Sequence, residues 1–244
     1  MLGVSFDQLQ RVLFLGAHSD DIEIGCGATV LKLVEEYPKI EINWVVLSAE
    51  GARRAEAEAS ARAFLGKHKR RNVLIEDFRG GYFPYQGEAL KTFVETLKGI
   101  NPDVVFTHYR HDLHQDHRIV NELTWNTFRN HRVFEYEIPK FDGDLGVPNF
   151  FIPVKRAHMA AKSRHLLKHF KSQTGKHWFT DELFRALPRI RGMECNSPTQ
   201  FAEAFYARLG ALRIGETPSA LIPGRRLPRM MIALSPSSAS RSRR

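Results

Sequence analysis

Two short stretches of this chain concentrate imidazoles and carboxylates, and each directly follows an apolar run. Ala17-His18-Ser19-Asp20-Asp21 comes after Val12-Leu13-Phe14-Leu15-Gly16. His111-Asp112-Leu113-His114-Gln115-Asp116-His117 comes after Asp103-Val104-Val105-Phe106-Thr107. Runs of that kind read as buried strands, and open α/β sheets carry their chemistry at the carboxyl ends of the strands. Clusters of this composition, at the ends of two strands, suggest metal-assisted hydrolysis. Hydrolysing an amide requires a strong nucleophile at neutral pH, stabilisation of the oxyanion and a proton for the departing amine. A divalent metal meets the first two needs, because it brings the pKa of bound water to about 7 and polarises the carbonyl.

Catalytic zinc takes three protein ligands and leaves one position open. His18 and Asp21, on one tight turn, and His117, from the end of a neighbouring strand, make such a set. Asp20 is then free to accept the proton of an attacking water. His114, one helical turn before His117, is placed to stabilise the oxyanion or protonate the amine. Asp116 is placed to orient an imidazole. Plainer readings exist for each. An aspartate after a strand is often a helix N-cap, and His111 and His114 fit a polar surface loop. Asp112 and His111 are weaker site candidates.

The elements that position these residues alternate along the chain. Strands are expected at 12–17, 41–48, 73–78, 104–107 and 133–138. Helices are expected at 28–37, 52–65, 88–100 and 117–129. This predicts an α/β, Rossmann-like fold, a mostly parallel sheet with helices on both faces. Gly25-Cys26-Gly27 lacks the third glycine of a dinucleotide-binding turn. Residues 141–150 read as a loop, followed by helices around 154–171, 180–188 and 199–209. Residues 1–215 read as a single domain, and 216–244 as a basic, disordered or loosely packed tail.

The 244 residues are 43% hydrophobic and 26% charged, ordinary for a globular protein. The net charge of +9 includes six arginines after residue 216, with no acid among them; without these the charge is +3. With no zinc-finger spacing or aromatic-rich RNA motif, no specific nucleic-acid partner is expected. Two cysteines, no signal-like leader and no apolar run of about 18 residues point to a cytoplasmic protein without a membrane span. Homo-oligomerisation stays open.

Residues 17–29, Ala-His-Ser-Asp-Asp-Ile-Glu-Ile-Gly-Cys-Gly-Ala-Thr, closely resemble the opening motif A-H-P-D-D-x-x-x-G-x-G-G-T of the LmbE-like, or PIG-L, family of N-acetylglucosaminyl deacetylases. His114-Gln115-Asp116-His117 resembles its H-x-D-H motif. Arg53-Arg54-Ala55-Glu56 with Leu65-Gly66, Lys162 through Ser172-Gln173, and Ala202-Glu203-Ala204-Phe205 echo later family segments, so that the likeness spans about 11–210. The resemblance implies His18, Asp21 and His117 as zinc ligands, Asp20 as general base and His114 as the stabilising histidine. It implies a Rossmann-like fold and, as substrate and partner, an N-acetylated amino sugar or glycoconjugate. An N₂O donor set also accepts other divalent ions such as Fe²⁺. Ser19 replaces the family's proline, and Ala28 its second glycine.

Further substrate contacts are expected from Arg53 or Arg54, which start a helix near the same sheet edge. Tyr82, Phe83 and Tyr85, on a Gly/Pro-flanked loop, are candidates to stack on a sugar ring. The competing functions are another metal-dependent amide or phosphoester hydrolase and a catalytically silent sugar- or nucleotide-binding domain.

Overall fold

The computed structural model describes residues 9–208, together with the backbone of 3–6 and 230–233. Two compact units are present. In the one built from the chain ends, β1 (Gly3–Phe6) pairs antiparallel with β9 (Met230–Ala233). Neither strand is apparent from the local sequence. The expected boundary at 215 and the rest of the 216–244 segment lie outside the described residues.

The larger unit is a seven-stranded sheet in the order β4-β3-β2-β5-β6-β8-β7. Its central strands are β2 (Arg11–His18), β3 (Glu41–Ser48), β4 (Arg71–Ile75), β5 (Val104–His108) and β6 (Arg132–Tyr136), and all run parallel. β8 (Ala202–Ala207) runs antiparallel to both β6 and β7 (Phe150–Pro153). Helices α1 (Asp21–Glu36), α2 (Ala52–Leu65) and α5 (Arg156–His169) pack on one another. α3 (Gly87–Thr96) and α4 (Gln115–Thr127) form a separate pair, and α6 (Asp181–Glu194) packs on β8.

Alternation along β2 divides the core. Leu13, Leu15 and Ala17 join Val105, Leu90, Val94 and Val120 in one buried cluster. Phe14, on the opposite face, meets Phe106 and Trp44, and Trp44 meets Phe64 of α2. The strand order reverses between β2 and β5, and ligands of doubly wound sheets bind in the crevice at such a reversal.

Two expectations are corrected. Residues 199–209, expected as a helix, contain strand β8. The Ala-Glu-Ala-Phe-Tyr-Ala pattern favours a helix in isolation, yet pairing with β6 and β7 supplies its hydrogen bonds. α1 begins at Asp21 rather than at 28, so the first motif is helical beyond its turn. The helix kinks at Cys26 (φ −145°, ψ 22°). A Cβ on Gly25 would enter the Tyr136 ring, and one on Gly27 would lie 2.7 Å from Phe64. These glycines therefore serve close packing.

Candidate metal and active site

The carboxyl ends of β2 and β5 and the start of α4 bring His18, Asp21, His108 and His117 together. His18 Nδ1 lies 3.2 Å from His117 Nε2 and 3.3 Å from Asp21 Oδ2. The third side of that triangle, His117 Nε2 to Asp21 Oδ2, is 3.5 Å. Donors bound tetrahedrally at 2.0–2.1 Å lie about 3.3 Å apart, so this triangle fits a zinc-sized cation.

Both imidazoles are oriented from behind. His18 Nε2 is 3.0 Å from Asp116 Oδ2, and His117 Nδ1 is 2.9 Å from Asp112 Oδ2. A proton held on each of those nitrogens leaves His18 Nδ1 and His117 Nε2 with lone pairs facing the triangle. Asp116 is itself fixed by the N–H groups of Gly81 (2.5 Å) and Phe83 (3.2 Å). Asp112 accepts from the His114 N–H (2.8 Å) and pairs with Lys140 at 3.0 Å. His108 Nε2 also approaches Asp21 Oδ2, at 3.2 Å. It accepts the Ala17 N–H at 2.9 Å, however, which occupies its lone pair. His18 is therefore the better donor.

The electrostatics follow from this crowding. Burial opposes charge on His18, but Asp21 and hydrogen bonds to Asp116 and Asp21 outweigh it and raise the pKa to about 10. Burial and the neighbouring His108 push His117 down to about 4. Burial alone would raise Asp21, yet His117, His108 and His18 hold it well below the usual carboxylate range. For Asp112, the His117 hydrogen bond and charge override burial and lower it to about 2. Asp20 moves the other way. Burial and the Asp21 charge raise its pKa, partly offset by Arg53 and His18.

Asp20 is buried without bonding to any of the histidines. Arg53 reaches its Oδ1 at 3.1 Å while donating to Ser19 Oγ at 3.0 Å. Ser19 therefore gives Arg53 a hydrogen-bonding anchor that a proline could not. His114 caps α4, its Nδ1 accepting the Asp116 N–H at 3.2 Å. That leaves Nε2 as the ring's remaining polar atom, and the ring stands edge-on to His18 at 4.9 Å.

The substrate candidates divide. Arg53 joins the site, whereas Arg54 turns outward to Glu58 and is corrected to a helix-surface residue. Tyr82 and Tyr85 are exposed and pair with each other, with Arg79 3.6 Å over the Tyr82 ring. Phe83 is fully buried and stacks toward His18, so it packs rather than binds. His111 is exposed and lies edge-on to Tyr109. Sequence reasoning missed His108 and Lys140 and gave Asp112 too little weight. The available signals were a histidine closing β5 and the Asp112–His117 spacing.

Residues 13–128, which contain both histidine motifs, match the family described as GlcNAc-PI de-N-acetylase. Over these residues, just under half of its length, the chain is similar to the PIG-L family. The Escherichia coli (strain K12) protein named uncharacterized deacetylase YaiS is 28% identical over 177 residues, 68% of this chain and 93% of that one. The N,N'-diacetylchitobiose deacetylase of Pyrococcus horikoshii superposes with a TM-score of 0.61 at 20% identity, covering 82% of this chain and 84% of its own. GalB, the 4-carboxy-2-hydroxymuconate hydratase of Pseudomonas putida KT2440, reaches 0.67 at 16% identity, covering 86% and 100%. A hydratase and a deacetylase thus share this fold, and the activity has to be argued from the site.

The later segments that resemble PIG-L motifs act structurally here. Glu203 accepts the N–H groups of Ala28 (3.0 Å) and Thr29 (2.6 Å), just past the α1 kink, and pairs with Lys162 at 2.6 Å. Glu56 binds both the N–H (2.8 Å) and the hydroxyl (2.6 Å) of Ser172. The Ala28 methyl, where the family has glycine, packs against Val154 and Met159.

Proposed function

We propose that this protein is a zinc-dependent N-deacetylase that hydrolyses the acetamide of an N-acetylated amino sugar or sugar conjugate. The observation that carries this reading is the triangle of His18, Asp21 and His117, with the buried Asp20 beside it and unbonded to the histidines. These three residues would hold Zn²⁺ or, with the same donor set, Fe²⁺. When bound, the cation polarises the acetamide carbonyl and acidifies water.

The chain's own groups do the rest. Asp20, its Oδ1 held by Arg53, accepts a proton from the attacking water at Oδ2; burial and the Asp21 charge raise its pKa, which strengthens it as a base. His114 carries its proton on Nε2, because Nδ1 is engaged by the helix N-terminus, and it donates to the oxyanion. The C–N bond then breaks, and the proton held on Asp20 passes to the amine. Acetate and a free amino sugar result. Asp112 and Asp116 keep the two imidazoles in the tautomers that face the cation. Arg53, Tyr82 and Tyr85 border the site as the candidate sugar contacts.

The relatives named as deacetylases support this reading. Among the described residues, no helix is long and apolar enough to cross a membrane. The test is a panel of N-acetylated sugars and conjugates incubated with zinc-loaded protein, scoring acetate and free amine. Sugar phosphates run in parallel, scoring phosphate. Amine release that stops on chelation and returns with zinc is expected. Phosphate release alone, or no acetate across the panel, overturns the assignment.

A further inference from the structure

Two side chains of the segment that follows β6, Lys140 and Asp144, reach back to the stretch leading into α4. Lys140 Nζ lies 3.0 Å from Asp112 Oδ1 and also pairs with Asp144. Asp144 Oδ2 accepts the Leu113 N–H at 2.6 Å. The three side chains are nearly shut off from water, Asp112 at 2% exposed, Lys140 at 12% and Asp144 at 6%. Among the described residues, Lys140 is the only lysine or arginine bonded to the Asp112 carboxylate.

The two oxygens of Asp112 have different tasks. Oδ2 holds His117 Nδ1 at 2.9 Å, while Oδ1 accepts the His114 N–H at 2.8 Å beside Lys140. Because a carboxylate is planar, gripping Oδ1 from two directions fixes where Oδ2 points. The His114 N–H alone would leave the group free to pivot about a single bond. A lysine ammonium on its flexible stem is itself poorly directed, but Asp144 supplies its second contact. Asp144 also holds the main chain one residue before His114. The segment therefore grips Asp112 by its side chain and Leu113 by its backbone. It also balances charge, because one ammonium serves two carboxylates that would otherwise be buried without a partner.

We infer that Lys140 is a positioning residue for the candidate cation site: by fixing Asp112, it holds the His117 ring with Nε2 turned toward His18 and Asp21. This deepens the proposed function, resting on its metal site and on nothing about the substrate. The segment after β6 thereby takes part in binding the cation, although it supplies none of the three donors. The same contacts would also serve as a plain tie between two loops. A tie adds stability without aiming the His117 lone pair, and that difference is measurable.

The test is a double-variant cycle read by chelator competition for Zn²⁺, with urea midpoints of the metal-free proteins alongside. Lys140→Met is expected to weaken zinc binding about tenfold, the lower end of the cost of losing an orienting partner. In an Asp112→Ala background the same change should cost no further affinity, because the residue through which Lys140 acts is gone. A Lys140→Met protein with wild-type zinc affinity overturns the inference, even if its urea midpoint falls. An equal loss with and without Asp112 also overturns it, since Lys140 would then act by another route. Should Lys140→Met not fold, Lys140→Met/Asp144→Asn takes its place, with one carboxylate removed along with the shared cation. Wild type that binds no zinc overturns this role and the deacetylase reading together. Wild type that binds zinc yet releases no acetate from any N-acetylated sugar overturns the deacetylase reading alone, and the zinc affinities still decide the role of Lys140.

Discussion

Lys162 of α5 places its ammonium 2.6 Å from the Glu203 carboxylate of β8, and each side chain is only 2% exposed. Lys162 also donates to the Ile24 carbonyl at 2.7 Å, while Glu203 takes the Ala28 and Thr29 N–H groups. The pair thus satisfies both sides of the kink in α1, the helix whose first residue is Asp21. A break in a helix exposes N–H donors that favour an anion, and here a buried carboxylate with its own counter-charge fills that role.

Removing one partner leaves a buried, uncompensated charge. Lys162→Met is expected to cost about 3–5 kcal/mol in urea unfolding, and Glu203→Gln a similar amount. The Lys162→Met/Glu203→Gln double variant should lose clearly less than the sum of the two. Strict additivity would mean that the two groups do not depend on each other, and the account of the kink would fail.

That pair also shows what the sequence could and could not reveal. The strand-then-cluster pattern was legible because β2 and β5 are continuous apolar runs and their chemistry follows within a few residues. Helix α2 and strand β3 were bounded correctly by a closing glycine and by β-branched residues. Residues 202–207 were not legible as a strand, because nothing local marks Ala-Glu-Ala-Phe-Tyr-Ala as β; its partners lie in β6 and β7, far away in sequence. The same distance hid the role of Lys162, 41 residues from Glu203. Asp112 looked like loop polarity until folding turned it onto His117.

Arg53 and Arg54 are adjacent in sequence and opposite in role. Arg53→Ala should remove the cation that lowers the Asp20 pKa, and so move the acid limb of the kcat/KM profile to higher pH. The base must be unprotonated to work, which gives the shift its sign. It should also cost about tenfold or more in kcat/KM, the loss of a charged hydrogen bond. Arg54→Ala removes only an exposed pair with Glu58 and is expected to stay within about twofold. Identical profiles for the two variants would contradict the placement of Arg53.

Asp20 and Asp112 are both buried carboxylates, yet they should fail in different assays. Asp112→Ala frees the His117 ring from its orienting partner and should weaken zinc binding about 10- to 100-fold in a chelator competition. Asp20→Asn should keep wild-type zinc affinity while turnover falls about 100- to 10,000-fold. Zinc loss in Asp20→Asn, or full zinc affinity in Asp112→Ala, would exchange or cancel the roles given to them.

Gly25 and Gly87 test whether the first motif's glycine is there for packing. Gly25 faces the Tyr136 ring, whose hydroxyl donates to the Leu15 carbonyl at 2.6 Å and lies 3.2 Å from His108 Nε2. Tyr136 is fully buried and held at both ends, so it has nowhere to move when a methyl arrives. Gly25→Ala is therefore expected to cost about 1–3 kcal/mol or more, with a matching fall in Tm. Gly87 opens α3 at φ −53°, and a Cβ placed there would meet no atom within 4 Å. Gly87→Ala should be neutral or stabilise by up to about 1 kcal/mol, through the lower entropy of the unfolded chain. Equal Tm values for the two variants would show that Tyr136 yields, and would remove the packing explanation for the G-x-G of the motif.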